Sequence, residues 1–142
     1  MPGYWLIKSE PDAYPYAQLV KEKRTAWDGV RSFEARNNLR GMRVGDLCLY
    51  YHSMTDKAVV GVARVVGEAY ADPTTDDGGD WSAVDMVPVT ALKQPVTLAL
   101  VKADPALADT LLVKRSRVSV VPVSKPHFER FLALGKTKLP RK

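Results

Sequence analysis

The chain has 142 residues, 46% hydrophobic and 26% charged, with a net charge of +5, which suits one domain over 1–142 with a real buried core. One cysteine, Cys48, excludes a disulfide framework and a CxxC zinc site, and no apolar run approaches the ~18 residues a membrane span needs. The pI near 9.4 favours an anionic partner, although many soluble proteins without one are as basic.

The opening "MPGYWLIKSEP" lacks the basic region and long apolar region of a secretory signal, so a cytoplasmic protein is expected. "YWLIK" reads as a strand, and "SEPDAYP" breaks it with prolines and turn formers. Pro15 opens a helix through Lys23, with Tyr16, Leu19 and Val20 at helical spacing. "RTAWDG" reads as a loop. "SFEARNNL" reads as one or two helical turns, with Ser32 as cap, Phe33 and Arg36 on one face and Gly41 at the end.

"VGDLCLYYH" is a turn followed by a strand, in which Cys48 is a small buried hydrophobe. "AVVGVARVVGEAYA" is long and β-branched, and Gly61 and Gly67 mark bulges or tight curvature. "DPTTDDGGD" is a solvated loop whose acids do not have divalent-ion spacing. "WSAVDMVPVTAL" alternates as a strand. "QPVTLALVKADPALADTLLVKR" suggests two short helical turns started by Pro95 and Pro105, and "RVSVVPV" is another strand. Ser124 caps a final helix ended by Gly135, and a basic tail, 136–142, frays beyond it. Five or six strands, short helices and glycine-marked curvature make an α+β domain around a barrel-like sheet.

The stretch "AWDGVRSFEARNNL" holds few apolar residues and makes a poor core. A tryptophan such as Trp27 is commonly a core plug, but here its neighbours suit another role. Gly29 permits close backbone approach, Arg31 and Arg36 supply donor forks, and Asn37 both donates and accepts. An indole with convergent amides and guanidiniums is chemistry that reads a nucleobase, since stacking contributes ~1–3 kcal/mol per base. Lys8 and Ser9 follow the first strand, either as a plain strand exit or at a pocket mouth.

Two histidines, His52 and His127, do not suggest a metal site. His52, Ser53 and Asp28 lack the G-x-S-x-G elbow of a serine hydrolase. Three basic groups (Lys21, Lys23 and Arg24; Arg36, Arg40 and Arg43; Lys114, Arg115 and Arg117) are each a solvated surface alone, and together would follow a phosphate backbone if they surround Trp27.

"YWLIKSEPDAY", "WDGVRSFEARNNLRGMRVGD", "LYYHS", "GVARVV", "WSAVDMVPV" and "SRVSVVPVS" occur in that order. The chain resembles the EVE-domain family of the PUA-like superfamily over roughly residues 3–135, and W-L-x-K-S-E-P with W-D-G-V-R-x-x-x-A-R-N is a specific combination. The resemblance implies a PUA-like curved or barrel-like sheet, akin to the YTH domain. It also implies a reader of modified bases, notably cytosines, in DNA or RNA, which is not an enzyme.

Carried over motif by motif, it implies ligand binding by Lys8, Ser9, Trp27, Asp28, Val30, Arg31, Arg36, Asn37, Tyr51, His52 and Ser53. Asp85 falls on an acidic strand position of the family, and Ser32-Phe33 stands where one family variant has Asn-Tyr. Trp81 is a candidate second aromatic wall. No cofactor or metal, no membrane and a monomer are expected. The rival reading is amide hydrolysis of a modified nucleoside, as in another PUA-like branch, for which Lys8, Glu10 or Asp28 with Tyr51 are the available groups.

Overall fold

The computed structural model describes residues 3–9, 14–28, 30, 32–53, 57–73, 81–114 and 118–139. In chain order these form β1 (Tyr4–Ser9), α1 (Tyr16–Glu22), β2 (Thr25–Trp27), α2 (Phe33–Gly41), β3 (Leu47–His52), β4 (Ala58–Val65) and β5 (Tyr70–Ala71). There follow β6 (Ser82–Thr97), α3 (Leu98–Ala103), α4 (Leu111–Lys114), β7 (Val120–Val123) and α5 (Lys125–Leu134). Among the described residues, no helix is long and apolar enough to cross a membrane.

The strands lie in the order β2-β6-β4-β3-β1-β7, with β5 paired to β6. Among the described residues only β1–β3 is parallel; the other pairs are antiparallel. The sheet is a mixed, curled half-barrel whose end strands, β2 and β7, are not hydrogen-bonded to each other. Curvature comes from register shifts between Tyr50 and Tyr51 on β3 and on both sides of Gly61 and Val62 on β4. Gly61 is required for packing: a Cβ there would lie 2.5 Å from the Tyr16 ring, whose hydroxyl donates to the Val62 carbonyl at 2.8 Å.

Successive strand residues point to opposite faces, so β1, β3, β4, β6 and β7 each feed two cores. Ile7, Cys48, Tyr50, Ala63, Val84, Met86 and Val120 join α1 and α2 on one face. Leu6, Leu49, Tyr51, Val62, Val96 and Val121 meet Phe128 and Phe131 of α5 on the other. Burial pushes the Cys48 thiol far up, as befits a core residue.

Local signals set several ends. The Ser32 hydroxyl accepts from the Ala35 amide, Ser124 caps α5 in the same way, and Gly135 ends it. Four expectations are corrected. "RTAWDG" is not all loop, because Thr25–Trp27 pairs with Val84–Met86 on β6. The segment around Pro95 is the end of a 16-residue strand, and α3 begins at Leu98, capped by Thr97. Pro88 is tolerated within that strand because it sits at a register shift.

The described part of the tail, 136–139, is docked at Thr137, which is buried and whose hydroxyl accepts from the Lys93 amide at 2.8 Å. Finally, the stretch after Ala26 does supply core, through Trp27, Val30, Ala35 and Leu39.

Candidate functional site

The sheet leaves one seam open, and a hollow of about 720 Å³ lies there, within the range of small-molecule sites. Its walls are the end of β1 (Lys8, Ser9), Tyr14 before α1, all of β2 with Asp28, then Val30, Ser32, and Ser119 just ahead of β7. The sheet's two ends therefore meet across a cavity instead of a ladder. Helix α2 packs against both β7 and β6. The Asn38 side-chain amide donates to the Val120 carbonyl at 2.6 Å, which fixes the helix at the base of the seam.

Trp27 combines the two roles that its sequence context set against each other. It is 8% exposed and belongs to a core cluster, yet it borders the hollow. Tyr50 meets its ring edge-on at 5.3 Å and 85°, and Tyr14 at 6.5 Å and 81°. Such T-shaped contacts fix a ring's orientation as well as burying it. The Tyr14 carbonyl accepts from both the Ser9 hydroxyl, at 2.9 Å, and the Tyr50 hydroxyl, at 2.6 Å. The Tyr14 wall beside the indole is thereby pinned to β1 and β3.

Three titratable side chains line the hollow: Lys8, Tyr14 and Asp28. Burial pulls the Lys8 ammonium down to about 8, so it is a cation held at a dielectric cost that a bound anion would relieve. Its amide donates to the Ser119 carbonyl at 2.9 Å, extending β1–β7 pairing to the cavity wall. Asp85, on the acidic family position, accepts from Arg24 at 2.8 Å and from the Tyr70 hydroxyl at 2.6 Å. Those two donors hold its carboxyl below the usual range, and the group ties the approach to β2 to β5.

Of the residues singled out from sequence, Lys8, Ser9, Trp27, Asp28 and Val30 come together around this hollow. Arg31 and Gly29 lie outside the described residues, as do Glu10, Arg115 and Arg117. Arg36 and Asn37 are on α2 away from the lining, and the guanidinium donates to its neighbour's amide oxygen at 2.9 Å.

Tyr51 is buried in the opposite core, because it is one residue out of phase with Tyr50. His52 accepts the Tyr16 amide at 3.0 Å through Nε2, capping α1 from a distant strand. Ser53 uses its amide to reach the Ser9 carbonyl. Trp81 stacks on Phe33 and lines a separate, smaller hollow. Tyr14, Thr25, Ala26, Ser32 and Ser119 are lining residues that sequence reasoning missed. The placing of Tyr14 five residues after Ser9, within "SEPDAYP", was a usable signal. Ser119 carried none, since its position depends on β7 pairing with β1.

The profile of the EVE domain matches residues 3–134. Human thymocyte nuclear protein 1 is 30% identical, over 93% of this chain and 73% of its own length. A solved Rhodopseudomonas palustris protein shares 44% identity at a TM-score of 0.89, covering 94% of this chain and 93% of that one. The structure of human THYN1 in complex with 5-methylcytosine-containing DNA matches at a TM-score of 0.85 and 29% identity, over 96% and 99% of the two chains. An ASCH protein from Zymomonas mobilis, 12% identical at a TM-score of 0.58 over 93% and 95% of the two chains, shares the fold.

Proposed function

The chain belongs to the EVE-domain family, and from that premise we propose that it binds nucleic acid and holds a modified base, of the modified-cytosine kind, in the hollow beside Trp27. The observation that carries this reading is the seam itself: an indole fixed by two tyrosine edges, facing a cavity whose rim holds a half-buried lysine. The DNA complex of the human relative supports the ligand class and favours DNA over RNA.

In this reading a base turned out of its stack lies along Trp27. Ser9, Ser32 and backbone groups near Asp28 meet its polar edge, and Lys8 neutralises the adjoining phosphate. Turning a base out of a duplex costs a few kcal/mol, which stacking at ~1–3 kcal/mol per base and two or three hydrogen bonds offset. One methyl in an apolar pocket is worth ~1–3 kcal/mol, so preference for the modified over the plain base is on the order of tenfold.

The role is binding without catalysis. Tyr51, one member of the alternative hydrolytic set, lies in the opposite core. The decisive experiment is a titration of an oligonucleotide panel, each member with one modified base, against wild type and Trp27→Phe. The expected result is selective binding that the smaller ring weakens about tenfold. Equal affinity for every oligonucleotide, unaffected by the substitution, would refute the reading, and product formed from acylated cytidine would transfer it to hydrolysis.

A further inference from the structure

We propose that Phe33 is a wedge that enters the base stack of a DNA duplex beside the nucleotide whose base occupies the Trp27 hollow. The proposal rests on the base-reading role above and extends it from one base to the duplex around it.

Phe33 is 67% exposed, the most exposed large hydrophobic side chain among the described residues. It directly follows Ser32, a lining residue of the hollow, and is the first residue of α2. Its ring is held without being buried. Trp81 stacks on it at 5.3 Å and 19°, and the Arg36 guanidinium lies over it at 5.0 Å. A cation over a ring and a parallel indole both restrict orientation.

Register explains why this group stands next to the Ser32 wall of the hollow. Trp27 pairs with Val84 on β6, and Trp81 precedes Val84 by three residues on the same strand path. Chain continuity from Trp27 through Val30 and Ser32 then delivers Phe33 onto Trp81. An exposed, pre-oriented apolar ring thus stands one residue beyond Ser32, which lines the cavity. No core packing accounts for a phenylalanine there.

A duplex supplies the occupant. Extruding one base leaves an unfilled step between its neighbours. Inserted apolar side chains, phenylalanine among them, fill or open such steps. The charge matches as well: Arg36 is at the ring, and Arg40, one turn on, donates to the Ser82 hydroxyl at 2.9 Å beside Trp81. Both are placed for the flanking phosphates. A single strand has no opposite strand to hold apart and gains less from the wedge.

The test compares wild type, Phe33→Ala, Phe33→Trp and Trp27→Phe by fluorescence anisotropy. The probes are a duplex with one central 5-methylcytosine and the same modified strand alone. Phe33→Ala should weaken duplex binding about tenfold, at least five times more than it weakens single-strand binding, and Phe33→Trp should recover most of the loss. With 2-aminopurine placed next to the 5-methylcytosine, the saturated Phe33→Ala complex should be brighter than wild type, because the neighbour has lost its stacking partner.

Equal losses on both probes, or none on the duplex, overturn the wedge. They leave base reading intact if Trp27→Phe still weakens both. If Trp27→Phe weakens neither probe, base reading fails and the wedge fails with it.

Discussion

The two faces of the sheet are made by the same strands and hold themselves together differently. The face under α5 is mainly aliphatic: Leu6, Leu49, Val59 and Val96 pack beneath Phe128 and Phe131. The face toward β2 is aromatic and threaded with hydrogen bonds. Tyr16 reaches the Val62 carbonyl, Tyr50 reaches the Tyr14 carbonyl, and His52 accepts the Tyr16 amide. The first arrangement fills its interior, and its hollow of about 960 Å³ lies at the surface, between Tyr4, Phe128 and Leu132 and the 136–139 segment. In the second, ring edges and directed bonds hold walls at fixed separations, so a hollow can persist beside a packed core. Stability and recognition are divided between the faces by the alternation of side chains along β1, β3 and β4.

The sharpest way to break this division is Phe128→Ala. Truncating this fully buried ring should cost ~3–5 kcal/mol in denaturant unfolding, while the folded variant keeps wild-type affinity for a 5-methylcytosine oligonucleotide. An affinity loss matching that of Trp27→Phe would show that the two faces are not separable. Next, Gly61→Ala should cost ~1–3 kcal/mol by overpacking, because the new methyl meets the Tyr16 ring and the backbone carries it. A thermal melt unchanged from wild type would mean that Tyr16 does not lie against that strand.

The neighbouring tyrosines sharpen the comparison further. Tyr50→Phe removes a bond to the Tyr14 carbonyl and should lower stability by ~1 kcal/mol and affinity severalfold. Tyr51→Phe, on the face under α5, should leave affinity unchanged.

The smallest effect is a pH dependence. Burial lowers Lys8 from 10.5 to about 8, so between those values the unfolded chain holds a proton that the folded chain has released. Stability should therefore rise with pH across that window, and Lys8→Met should flatten the rise. Oligonucleotide affinity should fall as pH passes 8, and in Lys8→Met this step should be absent.

Much of the chain was legible from local chemistry. Alternation and turn residues announced β1, β3, β4 and β7, and Ser32 and Ser124 marked helix starts that the structure caps in that way. The short strand β2 was not legible, since three residues carry no period and become a strand only through β6. The length of β6 was hidden by Pro88 and Pro95, which mimic breakers until a bulge and a strand end absorb them.

At the site, Lys8, Ser9, Trp27, Asp28 and Val30 could be chosen from their motifs, and they do meet around one hollow. Tyr51 stands in the same motif but lies in the core under α5, out of phase with Tyr50, because a strand's period says that neighbours diverge and not which face each takes.

By itself, then, the sequence determined the family, the α+β class and the residue types offered to a ligand, because caps, turns and alternation are encoded over a few positions. Tertiary structure alone decided that β2 and β7 fail to join, that Tyr14, Ser32 and Ser119 wall the gap, and that Trp27 is both core and lining. Those outcomes depend on pairings between segments some 40 to 120 residues apart, such as Trp5 with Cys48 and with Pro122. No local window contains both partners of such a contact.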